Sequence, residues 1–173
     1  EDFALLAGDA LLTEAFMILI AHYEAPLAAQ LCRLLSEAAG IRGMVGGQAI
    51  DLRPGQNKMS MEELTHLHNL KTGALIRVAA VGAAVIAKAL PAQIENLRNF
   101  GEGLGLAFQI ADDVLDHGEK DQDLRSFTGI LGLDATKAAL EKVSKTVREE
   151  LHKVSSQTAM LEYLIDFNIA RKV

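Results

Sequence analysis

The segment "GLAFQIADDVLDH", residues 105–117, constrains this chain more than any other part of it. At about 100° per residue, Gln109, Asp112, Asp113 and Asp116 fall within about one third of a helix's circumference. Leu104, Phe108, Ala111 and Leu115 form a separate stripe, at the spacing of a core-facing surface. A fold that holds this helix must pack one side and leave the other facing polar space. Exposed like charges one turn apart repel by roughly a few tenths of a kcal/mol per pair, and by more as water is excluded. The cluster is therefore either a solvated helix end or a holder of cations.

Carboxylate oxygens without a neighbouring Cys or His ligand suit a hard ion, Mg²⁺ or Ca²⁺, better than Zn²⁺. An EF-hand loop starting at Asp116 is excluded, because its third, fifth and sixth positions are Gly118, Lys120 and Asp121. Magnesium is commonly held by one or two carboxylates together with substrate phosphates, so a D-D-x-x-D face points to a phosphate-bearing ligand.

The rest of the chain reads as helix. It has 173 residues, 50% hydrophobic, 5% aromatic and without Trp, which favours one all-α domain, an antiparallel helix bundle, over a β-sandwich. Helices are expected over 3–22 and 26–39, the second ended by Gly40. "GMVGGQAIDL" places Gln48 and Asp51 about one turn apart behind two glycines, and "RPGQNK" is a turn. Ser60 and Glu63 form a capping box that opens a long helix to Leu90, and Pro91 begins the next, ending near His117. "HGEKDQDLRS" is a polar loop and "FTGILGL" a short apolar connection. Asp134 is expected to cap the following helix, and a last helix runs over 158–170.

The net charge of −6 and the absence of a basic cluster argue against nucleic acid as a partner. Cys32, the only cysteine, excludes an intrachain disulfide; it is expected on a buried helix face, and a reducing, cytoplasmic setting fits. "RVAAVGAAVIAKAL" is interrupted by Arg77 and Lys88 and reads as a core helix, so no membrane span is expected. No signal peptide is expected either, since Glu1 and Asp2 open the chain; the lack of a starting Met leads us to expect sequence upstream.

Five stretches in order resemble the trans-isoprenyl diphosphate synthases, and among them bacterial farnesyl diphosphate synthases most. "LLAGDALL" resembles the segment after that family's first aspartate-rich motif. "GIRGMVGGQAIDL" resembles its Gly-Gly-Gln-x-x-Asp helix, "HNLKTGALI" its Lys-Thr-Gly motif, "GLAFQIADDVLD" its second aspartate-rich motif, and "FTGILGLDATK" the region beyond. The resemblance implies an isoprenoid-synthase-type helix bundle, acting as a homodimer on isoprenoid diphosphates. It implies Mg²⁺, with Mn²⁺ as a possible substitute, held by Asp112, Asp113 and Asp116. Lys71 would contact the allylic diphosphate, while Thr72 and Gln109 would turn oxygen dipoles toward the developing allylic cation. His68, Gln48 and Asp51 are further substrate-binding candidates; the remaining histidines lack metal-ligand spacing. The reaction implied is condensation of dimethylallyl or geranyl diphosphate with isopentenyl diphosphate to farnesyl diphosphate.

Two departures accompany the resemblance. The first aspartate-rich motif, with the basic residues that hold isopentenyl diphosphate, is absent and expected upstream of Glu1. The loop after Asp116 is short, and Lys120 does not match the family's loop lysine. The 173 residues are thus expected to be one domain, the C-terminal part of a synthase, inactive by themselves. A longer-chain synthase (geranylgeranyl or polyprenyl), a noncatalytic subunit of a heteromeric synthase, a terpene cyclase and a purely structural bundle are the alternatives.

Overall fold

A computed structural model describes residues 2–54, 58–118, 124–155 and 157–171. Within them the chain forms α1 (Asp2–His22), α2 (Ala25–Ala39), α3 (Met44–Asp51), α4 (Met61–His68), α5 (Ala74–Ile86), α6 (Pro91–Leu115), α7 (Phe127–Leu131), α8 (Leu133–His152) and α9 (Ala159–Ala170). Among the described residues extended pairing is limited to one isolated bridge between Lys58 and Leu124. The bridge joins the entrances of α4 and α7, with the Met59 N–H donating to the Leu124 carbonyl at 3.2 Å.

Local signals set several boundaries. Ser60 Oγ accepts from the Glu63 N–H at 3.2 Å while Glu63 Oε2 accepts from the Ser60 N–H at 2.8 Å, completing the capping box ahead of α4. The helix it opens is not continuous to Leu90. It passes through a π-helical turn at Asn69–Gly73 and ends at Ile86, and Lys88 takes a left-handed φ of 54°. A π turn inserts one residue into the α-helical register and so re-aims the side chains within it, here Lys71. "FTGILGL" contains a short helix whose N-cap Ser126 accepts from the Gly129 N–H at 3.0 Å. Asp134 does not cap α8. Gly132, at φ 80°, occupies the cap, and Asp134 lies in the first turn, where a carboxylate still suits the helix dipole. The polar stretches around 55–57 and 119–123, Lys120 included, lie outside the described residues.

The helix α6 is the centre of the assembly. As α6 advances from Gly101 to Gly105, the backbone it meets runs back from Arg77 to Gly73, so α6 and the preceding helix are antiparallel. The pairs Asn99–Glu150 and Gly103–Val147 show the same for α6 and α8. Buried side chains form two clusters. One gathers Met59, Leu64, Leu67, Ala107, Ile110, Ala111, Phe127 and Leu140 near the aspartates, and the other gathers Phe100, Val147, Leu151 and Ile165 toward the far end. The core face of α6 is thus Phe100, Ala107, Ile110 and Ala111; of the stripe read off the sequence, Ala111 is in the core and Leu104 packs on the second cluster, while the rest is turned away. Phe108 is 38% exposed and Leu115 is also exposed. Leu104 and Phe108 line an open apolar groove of about 1260 Å³ between α5, α6 and α9.

The helix α1 lies along α2 and buries none of its residues; Phe3 is 88% exposed, and Leu5, Leu6, Leu11, Met17 and Ile20 are exposed as well. By length and composition alone, Asp2–His22 and Met61–Ile86 are long and apolar enough to cross a membrane, with mean hydropathies of 1.9 and 1.4. The second packs on α3 and α6 inside the bundle and carries Lys71 and Arg77, as a core helix does. Cys32 is half-buried.

Candidate active site

Two close backbone approaches build the site. A Cβ on Gly47 would lie 2.4 Å from the Lys71 nitrogen, and one on Gly105 would lie 2.6 Å from the Gly73 Cα. Only glycine lets α3 and α6 close on the π turn from two sides, and Lys71 is thereby held opposite the end of α6. Between them lies a cavity of about 410 Å³ lined by Asp51, His68, Lys71, Gln109, Asp112, Asp113, Asp116, Arg125 and Ser126. Residues from α3, α4, the π turn, α6 and the entrance to α7 meet there.

The charges are cross-connected. Lys71 Nζ donates to Asp51 Oδ2 at 2.5 Å, and Arg125 Nη2 donates to Asp51 Oδ1 at 2.7 Å. Gln109 Nε2 donates to Asp112 Oδ2 at 3.0 Å, which fixes the amide and leaves its carbonyl oxygen for another partner. Asp112 Oδ1 is ion-paired with Arg171, which follows α9. Asp113 Oδ2 accepts from the Phe127 N–H at 2.6 Å, a carboxylate on the first turn of α7. The helix ends at Leu115, and Asp116 is its C-cap rather than a residue inside it.

His68 is 8% exposed, stacked on Phe127 with ring centroids 5.5 Å apart. Burial and then the Lys71 charge push its imidazole down from 6.5 to about 4, against the weaker pull of Asp51 and Gln109. Gln109 is near enough to favour the charged ring, but neither ring nitrogen has a partner in hydrogen-bonding geometry among the described residues. His68 is a neutral imidazole at neutral pH.

Of the residues singled out in the sequence, Asp51, His68, Lys71, Gln109, Asp112, Asp113 and Asp116 share this cavity; Gln48 and Thr72 are not in its lining. Gln48 is exposed on α3, and Thr72 is half-buried within the π turn. Three contributors had escaped sequence reasoning. Ser126 carried a signal, a helix N-cap before an apolar run, whereas Arg125 and Arg171 reach their aspartates across 74 and 59 residues and carried none.

Asp112, Asp113 and Asp116 offer only oxygen donors, which fits Mg²⁺ in kind. Among the described residues, however, no three His, Cys, Asp or Glu side chains already converge on one metal position. Oxygens of Asp112 and Asp113 are turned to protein donors instead.

The sequence matches the Polyprenyl synthetase family over residues 1–129. The chain belongs to that family. It is 40% identical over 160 residues to the farnesyl diphosphate synthase of Micrococcus luteus, covering 84% of this chain and 55% of the relative. It is 34% identical over 187 residues to that of Bacillus subtilis (strain 168), covering 99% and 63%. An FPP/GFPP synthase from Zymomonas mobilis, in its apo form, superposes with a TM-score of 0.85 at 32% identity over 95% of this chain and 60% of that one. The geranyltransferase of Helicobacter pylori, complexed with magnesium and isoprenyl diphosphate, gives 0.77 at 28% identity over 98% and 60%. This chain therefore spans 55% and 63% of the length of the two curated relatives.

Proposed function

We propose that the chain is the C-terminal part of a prenyltransferase that condenses an allylic diphosphate, dimethylallyl or geranyl, with isopentenyl diphosphate to give farnesyl diphosphate. One observation carries this reading: in a polyprenyl synthetase family member, Asp112, Asp113 and Asp116 share one cavity with Lys71, beside a large apolar groove. In that reading the three aspartates hold Mg²⁺, or Mn²⁺ in its place, which when bound neutralises charge growing on the departing diphosphate. Lys71 binds a diphosphate oxygen as a point charge, released from Asp51 for the purpose. Gln109, its amide nitrogen held by Asp112, orients its carbonyl oxygen toward the allylic carbon, with Thr72 of the π turn beside Lys71 in a supporting part. Asp51 positions Lys71 through their ion pair, His68 lines the same cavity as a further substrate-binding candidate, and Gln48 sits farther out. The apolar side chains of the groove keep water from the cation.

A longer product is favoured by one feature. Ala79, Ala80, Ala83, Ala84 and Ala87 line the groove from α5 and its end, so short side chains continue well beyond the first turns after Lys71. A homodimer in a cytoplasmic setting belongs to the same proposal, supported by the uncovered apolar side chains of α1 and by the lone thiol of Cys32.

The test uses the full-length protein with Mg²⁺, isopentenyl diphosphate and either dimethylallyl or geranyl diphosphate, products being sized by chain length. A farnesyl product that is lost in Asp112→Ala is the expected result. A geranylgeranyl or longer product would move the reading to the longer-chain enzyme, and no condensation with either substrate would overturn it.

A further inference from the structure

Arg171 is the first residue beyond α9, with an extended ψ of 148°, and its side chain is 11% exposed. Its guanidinium ion-pairs with Asp112 Oδ1, donates to the Phe108 carbonyl at 3.0 Å and lies 4.1 Å from the centroid of the Phe108 ring. Asp112 lines the polar cavity, and Phe108 lines the apolar groove. Arg171 therefore stands where the two meet. With Gln109 on Oδ2 and Arg171 on Oδ1, both oxygens of Asp112 are engaged, one of them by a full positive charge.

A divalent cation and a guanidinium on the same carboxylate repel each other at contact distance, so metal binding at Asp112 and this ion pair oppose one another. Two features make Arg171 the group that yields. Its Nε is buried without a hydrogen-bond partner among the described residues, so the side chain is held there by a few contacts rather than by a complete set. It also lies outside the helix, tied to it through the bond from its own N–H to the Phe167 carbonyl at 2.9 Å, so it can leave by opening that terminal bond while the rest of α9 stays wound.

We propose that Arg171 is an exchangeable stand-in for the metal: it holds Asp112 while the cavity has no metal diphosphate, and leaves when one binds. The end of α9 thus reports the occupancy of the cavity, and its departure uncovers the Phe108 ring at the entrance to the groove. This rests on the reading of Asp112 as a metal ligand.

The test compares the full-length wild type with Arg171→Gln. Mg²⁺ is titrated by calorimetry in the presence of saturating inorganic diphosphate, and amide hydrogen exchange is followed at residues 168–171. Removing the competing charge should lower the Mg²⁺ concentration for half-saturation about fivefold. In the wild type, magnesium and diphosphate together should accelerate exchange of the Arg171 amide. Unchanged or weaker Mg²⁺ binding in Arg171→Gln, or an Arg171 amide that is not accelerated, would overturn the inference while leaving the functional reading in place. A wild type that shows no Mg²⁺-dependent diphosphate binding would overturn both.

Discussion

The buried imidazole of His68 makes stability depend on pH in a calculable way. Its folded value, about 4, lies below the 6.5 of an unburied histidine, so between those values the unfolded chain binds a proton that the folded chain refuses. The stabilising contribution is present above about pH 6.5 and is lost as pH falls toward about 4, where the loss amounts to about 3 kcal/mol. At about pH 5 the loss is about 2 kcal/mol, since nearly all the unfolded chains and about a tenth of the folded ones carry the proton. The perturbation is His68→Met, which fills similar volume, cannot titrate and leaves no unpaired ring nitrogens. Urea unfolding of both full-length proteins at about pH 7.5 and about pH 5 isolates the one group that differs. The wild type should lose about 2 kcal/mol more than the variant over that interval. Parallel losses, within about 0.5 kcal/mol, would show that His68 is not held neutral by its surroundings and would refute the argument.

Three further outcomes follow from the packing and the site. Gly105→Ala would set a Cβ 2.6 Å from the Gly73 backbone and should destabilise by about 1–3 kcal/mol in chemical denaturation, whereas Gly8→Ala, with nothing within 4 Å, should gain up to about 1 kcal/mol. Equal effects at the two glycines would contradict the close approach of α6 to the π turn. Ser60→Ala removes one half of the capping box and should cost about 1 kcal/mol by the same assay. Exposed Glu63, whose carboxyl is held low chiefly by the Ser60 backbone N–H and then by its hydroxyl, should titrate higher by NMR in that variant. Lys71→Gln, by removing a charge-assisted contact, should raise KM for the allylic diphosphate about tenfold or more, and an unchanged KM would remove Lys71 from the diphosphate site.

What the sequence could convey differs between elements for a physical reason. A capping box, a proline at a helix start and a 3.6-residue period act within one or two turns, and these foretold the entrance to α4, the start of α6 and the helical class. The D-D-x-x-D spacing likewise placed Gln109, Asp112, Asp113 and Asp116 on one side by local geometry alone, and all four line the cavity although Asp116 is the cap of the helix. The orientation of α6 was not local. Its stripe of Leu104, Phe108, Ala111 and Leu115 has the period of a core surface, yet Ala111 is buried and Leu104 packs partly on the α8 cluster while Phe108 and Leu115 stay exposed, and the arrival of the neighbouring helices decides that Phe108 faces a groove. The π turn is similar, since its one-residue shift is supported by the glycine approaches of α3 and α6 from other parts of the chain. The charge pairing lies furthest from local rules. Asp51 is shared by Lys71 and Arg125, and Asp112 is held by Arg171, so a carboxylate cluster that reads as self-repelling is partly neutralised by cations from three places in the sequence. That neutralisation lowers the mutual repulsion of the carboxylates gathered in the pocket. On the functional reading proposed above, a metal diphosphate would enter by re-partnering existing ion pairs, carboxylates to the cation and Lys71 to the phosphate oxygens, rather than by filling an unbalanced site.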